Sequence, residues 1–186
     1  MADRIPRLSK SLYYDLVMKE VWKGPFLITL PKKLEERLKK ESKKFGVSEE
    51  ELILEALSKI LDEPLDPETR LEMHLKLSEK YLKDAEGFLD KGDYVHASEK
   101  AWGAASQMVK ALAARRGVEL RSHGELHKEV IELTKESGDD EIRLLWQSAI
   151  SLHQNFYENW LPPEMVEKNI EDAKKFIDKL KLLLQQ

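Results

Sequence analysis

The chain of 186 residues has no cysteine. That excludes disulfides and fits a reducing, intracellular setting. No apolar run approaches the roughly 20 residues that span a bilayer. The opening residues, Met1 to Arg7, lack the apolar stretch of a signal peptide. A cytoplasmic protein without a membrane partner is therefore expected. The Gly-rich phosphate loop, the Gly-x-Ser-x-Gly elbow and the dinucleotide fingerprint are missing. So are repeats of solenoid period and low-complexity tracts. An excess of positive charge is missing too, since the net charge is −4. It gives no general argument for nucleic acid, although residues 1–46 hold 12 Lys/Arg against 6 Asp/Glu. That local balance allows a basic N-terminal surface.

What is present is enough apolar residue, 41%, for one core of ordinary size. Charged residues make up 35%, dominated by Lys and Glu, a mix that fits a heat-adapted protein.

Apolar spacing organises the chain into helices. Leu8, Leu12, Leu16 and Val17 predict a short helix over 7–22, broken by Gly24-Pro25. Residues 26–30, Phe-Leu-Ile-Thr-Leu, read as a strand. Pro31 opens a helix with a Leu34, Leu38 and Phe45 stripe, and Gly46 closes it. Ser48 with Glu51 forms a capping box for the next helix, whose expected buried face is Leu52, Ile53, Leu57 and Leu61. Residues 61–65 read as a linker. Asp66-Pro67 starts the main domain, 66–186. Its five helices are expected at about 67–91, 94–115, 124–136, 140–160 and 163–184, joined by short loops. A mostly α, up-and-down bundle follows.

Two resemblances attach to these patterns. Leu30-Pro31, Leu34, Leu38, Gly46, Ser48, Leu52-Ile53 and Ala56-Leu57 resemble the ribbon-helix-helix unit of small dimeric transcription factors. In that family outward strand residues read the major groove. The matching positions here, Pro25, Leu27 and Thr29, include no basic residue. A dimerisation element, residues 1–62, is the favoured role, and specific DNA reading the lesser one. The stretch Gly92 to Gly103, Arg121-Ser122-His123 and the run from Leu152 to Trp160 resemble the HEPN group of helical proteins, and more narrowly the archaeal PaREP family. The resemblance implies a five-helix bundle, a homodimer, and a role beside RNA, a nucleotide or a nucleotidyltransferase-like protein in a defence or toxin–antitoxin setting.

HEPN ribonucleases carry an Arg, then four to six residues, then a His. Here Arg143 precedes His153 by ten residues, roughly 15 Å along a helix. The two cannot share one phosphate within a subunit. His153, Asn155, Tyr157 and Glu158 remain the catalytic candidates: His moves protons near neutral pH and Glu accepts them. The plain alternative is that these are hydrogen-bonded structural groups. Arg121, His123 and Lys100 are the ligand-binding candidates, with Arg121 as a bidentate donor to an anion. Arg115 and Arg116 read as support for a helix C-terminus, and Glu99-Lys100 as an ion pair inside the bundle.

His123 and His127 are four residues apart, yet without cysteine any further metal ligands would come from distant positions. No metal or cofactor is expected. The helix over 140–160 is apolar around so much of its circumference that it is expected to be central, or to face a second subunit. The leading reading is a non-catalytic interaction module. A metal-independent ribonuclease with a rearranged site comes second, and a ribbon-helix-helix DNA binder third.

Overall fold

The computed structural model describes residues 28–45 and 47–185. They are mostly helical: α1 (Lys32–Phe45), α2 (Glu49–Leu61), α3 (Pro67–Leu89), α4 (Tyr94–Arg115), α5 (His123–Ser137), α6 (Asp140–Glu158) and α7 (Pro163–Leu184). Among the described residues there is no strand. Nor is any described helix long and apolar enough to cross a membrane.

The expected strand is thus corrected over its described part. Ile28, Thr29 and Leu30 are irregular and lead into Pro31, whose carbonyl accepts the amides of Leu34 and Glu35. Strand propensity takes effect only against a pairing partner, and the described chain offers none. Phe26, Leu27, Gly46, Pro25 and the helix expected over 7–22 lie outside the described residues.

Local chemistry sets the helix ends. Ser48 Oγ accepts from the Glu51 amide, and the Glu51 carboxylate accepts from the Ser48 amide. Asp66 caps α3 through the Thr69 amide, with Pro67 in the first turn. Ser122 and Glu125 repeat the capping box at α5. α5 ends at Gly138 in the left-handed region, φ 68°, where a side chain would add strain.

α4 is the central helix, and this corrects the expectation for 140–160. α4 packs most extensively on α3 and also meets α5, α6 and α7. Ala97, Ala101, Ala104, Ala105, Ala111 and Ala113 are fully buried along it. Methyl side chains let neighbouring helices approach from several directions at once. At Gly103 even a methyl would be tight, because a Cβ there would lie 3.1 Å from the Tyr81 ring. The core around α4 includes Met108, Ile142, Trp146, Phe176 and Leu180. α6 buries Ile142, Leu145, Trp146, Ala149 and Leu152 within its own chain, but leaves Leu144 and Tyr157 exposed.

The α1–α2 pair is different in kind. The buried residue of α1 is Ser42 and that of α2 is Glu51. Of the predicted apolar faces, Leu34, Phe45, Leu57 and Leu61 are exposed, which corrects them in part, while Leu38, Leu52 and Ile53 are half-buried. α2 turns carboxylates toward the bundle instead. Glu50 accepts from Tyr81 and Lys80, Glu55 lies 3.8 Å from Arg70, and Glu51 enters the interior.

Candidate functional site: a ring cluster beside a buried charge network

Three helices bring planar side chains to one place. α4 supplies Trp102, the first two turns of α5 supply His123 and His127, and α6 supplies Trp146, His153 and Tyr157. The His153 ring stacks on Trp102, with centroids 4.6 Å apart and planes 26° from parallel. His123 meets His153 edge-on at 4.7 Å and Trp102 at 5.6 Å. Tyr157, one turn beyond His153, meets it edge-on at 5.3 Å. Beneath them Trp102 lies 5.0 Å from Trp146, whose indole N–H donates to His127 Nδ1 at 2.9 Å. The two indoles are buried, the His153 ring is partly covered, and His123, His127 and Tyr157 face outward.

This packing fixes the charge state. Burial, then the neighbouring imidazoles His123 and His127, hold His153 down at about 4. Burial, His127 and Lys110 also lower His123. Charging an imidazole is disfavoured where water is displaced and a like charge is close. His153 is therefore neutral at pH 7. Among the described residues no carboxylate bonds to it. An oriented acid–base pair needs such a third group. No described group of three or more His, Asp or Glu is arranged to hold a metal.

The predicted residues separate on this geometry. His123, His153 and Tyr157 come together. Asn155 does not join them: two residues along a helix turn its side chain to the far side. It is fully buried, donates to Ser98 Oγ at 3.0 Å, and accepts the amides of Trp160 and Leu161 at 3.0 and 2.8 Å. Its role is to hold the exit of α6. Glu158 is exposed at the end of that helix. The Arg121 guanidinium donates to Glu119 at 2.6 Å, and this pair raises the Arg121 pKa. Lys100 Nζ lies over the Tyr81 ring at 5.0 Å. Arg115 donates to the Leu183 and Leu184 carbonyls, while Arg116 pairs with Glu129 and Glu136.

A second centre was not singled out from the sequence. Lys110 Nζ donates to Glu51 Oε1 at 2.7 Å, and Gln107 Nε2 to Glu51 Oε2 at 2.8 Å. Gln107 Oε1 in turn lies 2.7 Å from His74 Nδ1. All four residues are buried. Burial pushes the Glu51 carboxyl up, but Lys110 and the Ser48 amide bring it down to about 2. Burial lowers His74, against the opposing pull of Glu51. The sequence signal was Gln107 and Lys110, three apart inside an alanine-rich buried helix.

An all-helical bundle with a mixed imidazole–indole face is the class these features define. The chain belongs to the archaeal PaREP1/PaREP8 family, whose model matches residues 73–177. It is also similar to a Sulfolobus solfataricus protein of known crystal structure. The two are 32% identical with a TM-score of 0.51, and the match covers 56% of this chain and 93% of that one. No curated protein matches. The ring cluster lies within the matched span, whereas Glu51 precedes it.

Proposed function

We propose that this chain is a non-catalytic, HEPN-like interaction module whose His123, His153 and Tyr157 face binds a nucleobase, carried by a nucleotide or by RNA. The stacked, neutral His153 ring carries this reading. Neutral imidazoles and a phenol offer a base both flat faces and donor or acceptor edges. They also lack the carboxylate that would orient an acid–base catalyst. The HEPN resemblance also favours a nucleotidyltransferase-like partner, and the exposed Leu144 of α6 and Leu57, Ile60 and Leu61 of α2 favour a second copy of the chain. A ribbon-helix-helix role for residues 26–61 rests on α1, α2 and the turn between them.

Adenosine binding, followed through quenching of tryptophan fluorescence, tests the reading. Saturable quenching that is lost in His153→Ala supports it. The absence of any response to adenosine or to a short RNA removes it. One observation favours a second reading, metal-independent RNA cleavage: His123 and His153 are two adjacent imidazoles, 4.7 Å apart. Cleavage of RNA that persists in EDTA and disappears in His153→Ala would establish that alternative.

A further inference from the structure

Resting on the nucleobase reading, we propose that the binding face continues down α4 into a phosphate site at Ser106 and Lys110, which α2 closes by inserting the Glu51 carboxylate. The ligand class is a nucleoside phosphate, with its base at the ring cluster and its phosphoryl group in place of Glu51.

The placement follows from helical geometry. Trp102, Ser106 and Lys110 are successive at intervals of four, so they share one face of α4. From Trp102 to Lys110 is roughly 12 Å along the axis at 1.5 Å per residue. That length accommodates a base, a ribose and a first phosphate. His123 meets the Trp102 ring at the upper end of this face.

Three independent features mark the lower end as a site. Ser106 is 7% exposed, and its hydroxyl makes no hydrogen bond to any described residue. It sits between the ring cluster and the lysine. Buried hydroxyls are ordinarily satisfied, and one left open beside a cation is a donor awaiting an acceptor. Lys110 is a buried ammonium whose anionic partner comes from a separate, N-terminal element. Gln107 adds an amide N–H aimed at the same carboxylate. Together Lys110 and Gln107 present N–H donors to one pair of oxygens, and the Ser106 hydroxyl lies one turn from Lys110. A phosphoryl group satisfies such donors as well as a carboxylate does.

The closing element is built to leave. α2 has no fully buried apolar side chain: Leu52 and Ile53 are only half-buried, and its one fully buried residue is Glu51. It is held by Glu50, Glu51 and Glu55 on Lys80, Tyr81, Lys110 and Arg70. Its link to α3 is the short segment 62–66, in which Asp62 adopts a left-handed conformation at φ 55°. Few buried apolar contacts are the mark of a segment that opens locally. A phosphate dianion and the Glu51 carboxylate repel each other at Lys110, so one displaces the other. The stopper lies outside the residues matched by the family model, and the site inside them.

Calorimetry on the full chain with AMP and with adenosine tests the proposal. Glu51→Gln keeps the size and shape of the side chain but removes the competing charge. It is expected to bind AMP about tenfold more tightly than the wild type, because the closed population no longer taxes binding. Its affinity for adenosine should stay unchanged. Ser106→Ala and the double variant Glu51→Gln/Lys110→Met should each lose the AMP preference over adenosine while melting cooperatively. Equal AMP affinity in the wild type and Glu51→Gln overturns the phosphate site. Adenosine binding that survives in that case leaves the nucleobase reading standing, and failure of both ligands removes the two together.

Discussion

Two side chains carry the sharpest consequences. Asn155, fully buried, uses three hydrogen bonds to tie α6 to Ser98 and to the 160–161 turn. Removing it leaves the Trp160 and Leu161 amides without their acceptor, while the Ser98 hydroxyl still donates to the Tyr94 carbonyl. Asn155→Ala should cost about 2 kcal/mol or more in urea denaturation, with RNA or adenosine binding at saturating protein unchanged. A large loss of binding without loss of stability would return Asn155 to the site. His153 makes the opposite prediction. Its folded value of about 4 lies below the ordinary 6.5. A depressed histidine contributes stability above pH 6.5 that is lost as pH falls through 4. The melting temperature should therefore drop between pH 6.5 and 4, and His153→Phe should flatten that slope while keeping the stack on Trp102.

Helices differ in how far their sequence announced them. α4 and α7 begin and end where the apolar period and the Pro, Gly and Asp punctuation place them, because each rule is local. The partners of α2 were not legible. A leucine stripe predicts burial only if something apolar covers it, and α2 meets the bundle through Glu50, Glu51 and Glu55 instead. Glu51 was readable as a cap, yet its second role depends on Gln107 and Lys110, more than fifty residues away. Likewise His123 and His153 were visible as candidates. Their stacking on Trp102 was not, since ring contacts between three helices leave no mark at a fixed spacing.

Docking of α2 then gains a testable cost. Glu51 sits at about 2 against an ordinary 4.5. It contributes stability above pH 4.5 that disappears as pH falls through about 2, worth roughly 3 kcal/mol at full depth. Glu51→Ala should strand the Lys110 ammonium and destabilise the docked state by about 3 kcal/mol or more. Glu51→Gln/Lys110→Met should recover most of that loss. Hydrogen exchange resolves the point, with α1 and α2 amides exchanging before those of α4 and faster still in Glu51→Ala. Equal protection of α2 and α4 would contradict a polar, separable attachment.

For the molecule as a whole, an alanine-lined central helix permits tight packing of the span matched to the PaREP1/PaREP8 family. One end of that bundle gathers imidazoles and indoles, and the N-terminal helix pair meets its flank through the carboxylates of α2. The proposed second copy would sit on the outer surface of α6 at Leu144 and on the exposed leucines of α2. Light scattering at micromolar concentration should therefore give twice the 21.6 kDa chain mass, and Leu57→Glu/Leu61→Glu should return one chain mass if α2 forms the contact. Imidazole resonances decide whether the ring cluster is a binding face. In a two-dimensional NMR titration of the full chain, His153 should stay neutral down to about pH 4. At pH 7 its ring signals and those of His123 should shift together on adding adenosine, while His96 stays still. Ordinary titration of His153 near 6.5, with no response to adenosine, would contradict both the sealed stack and the function proposed for it.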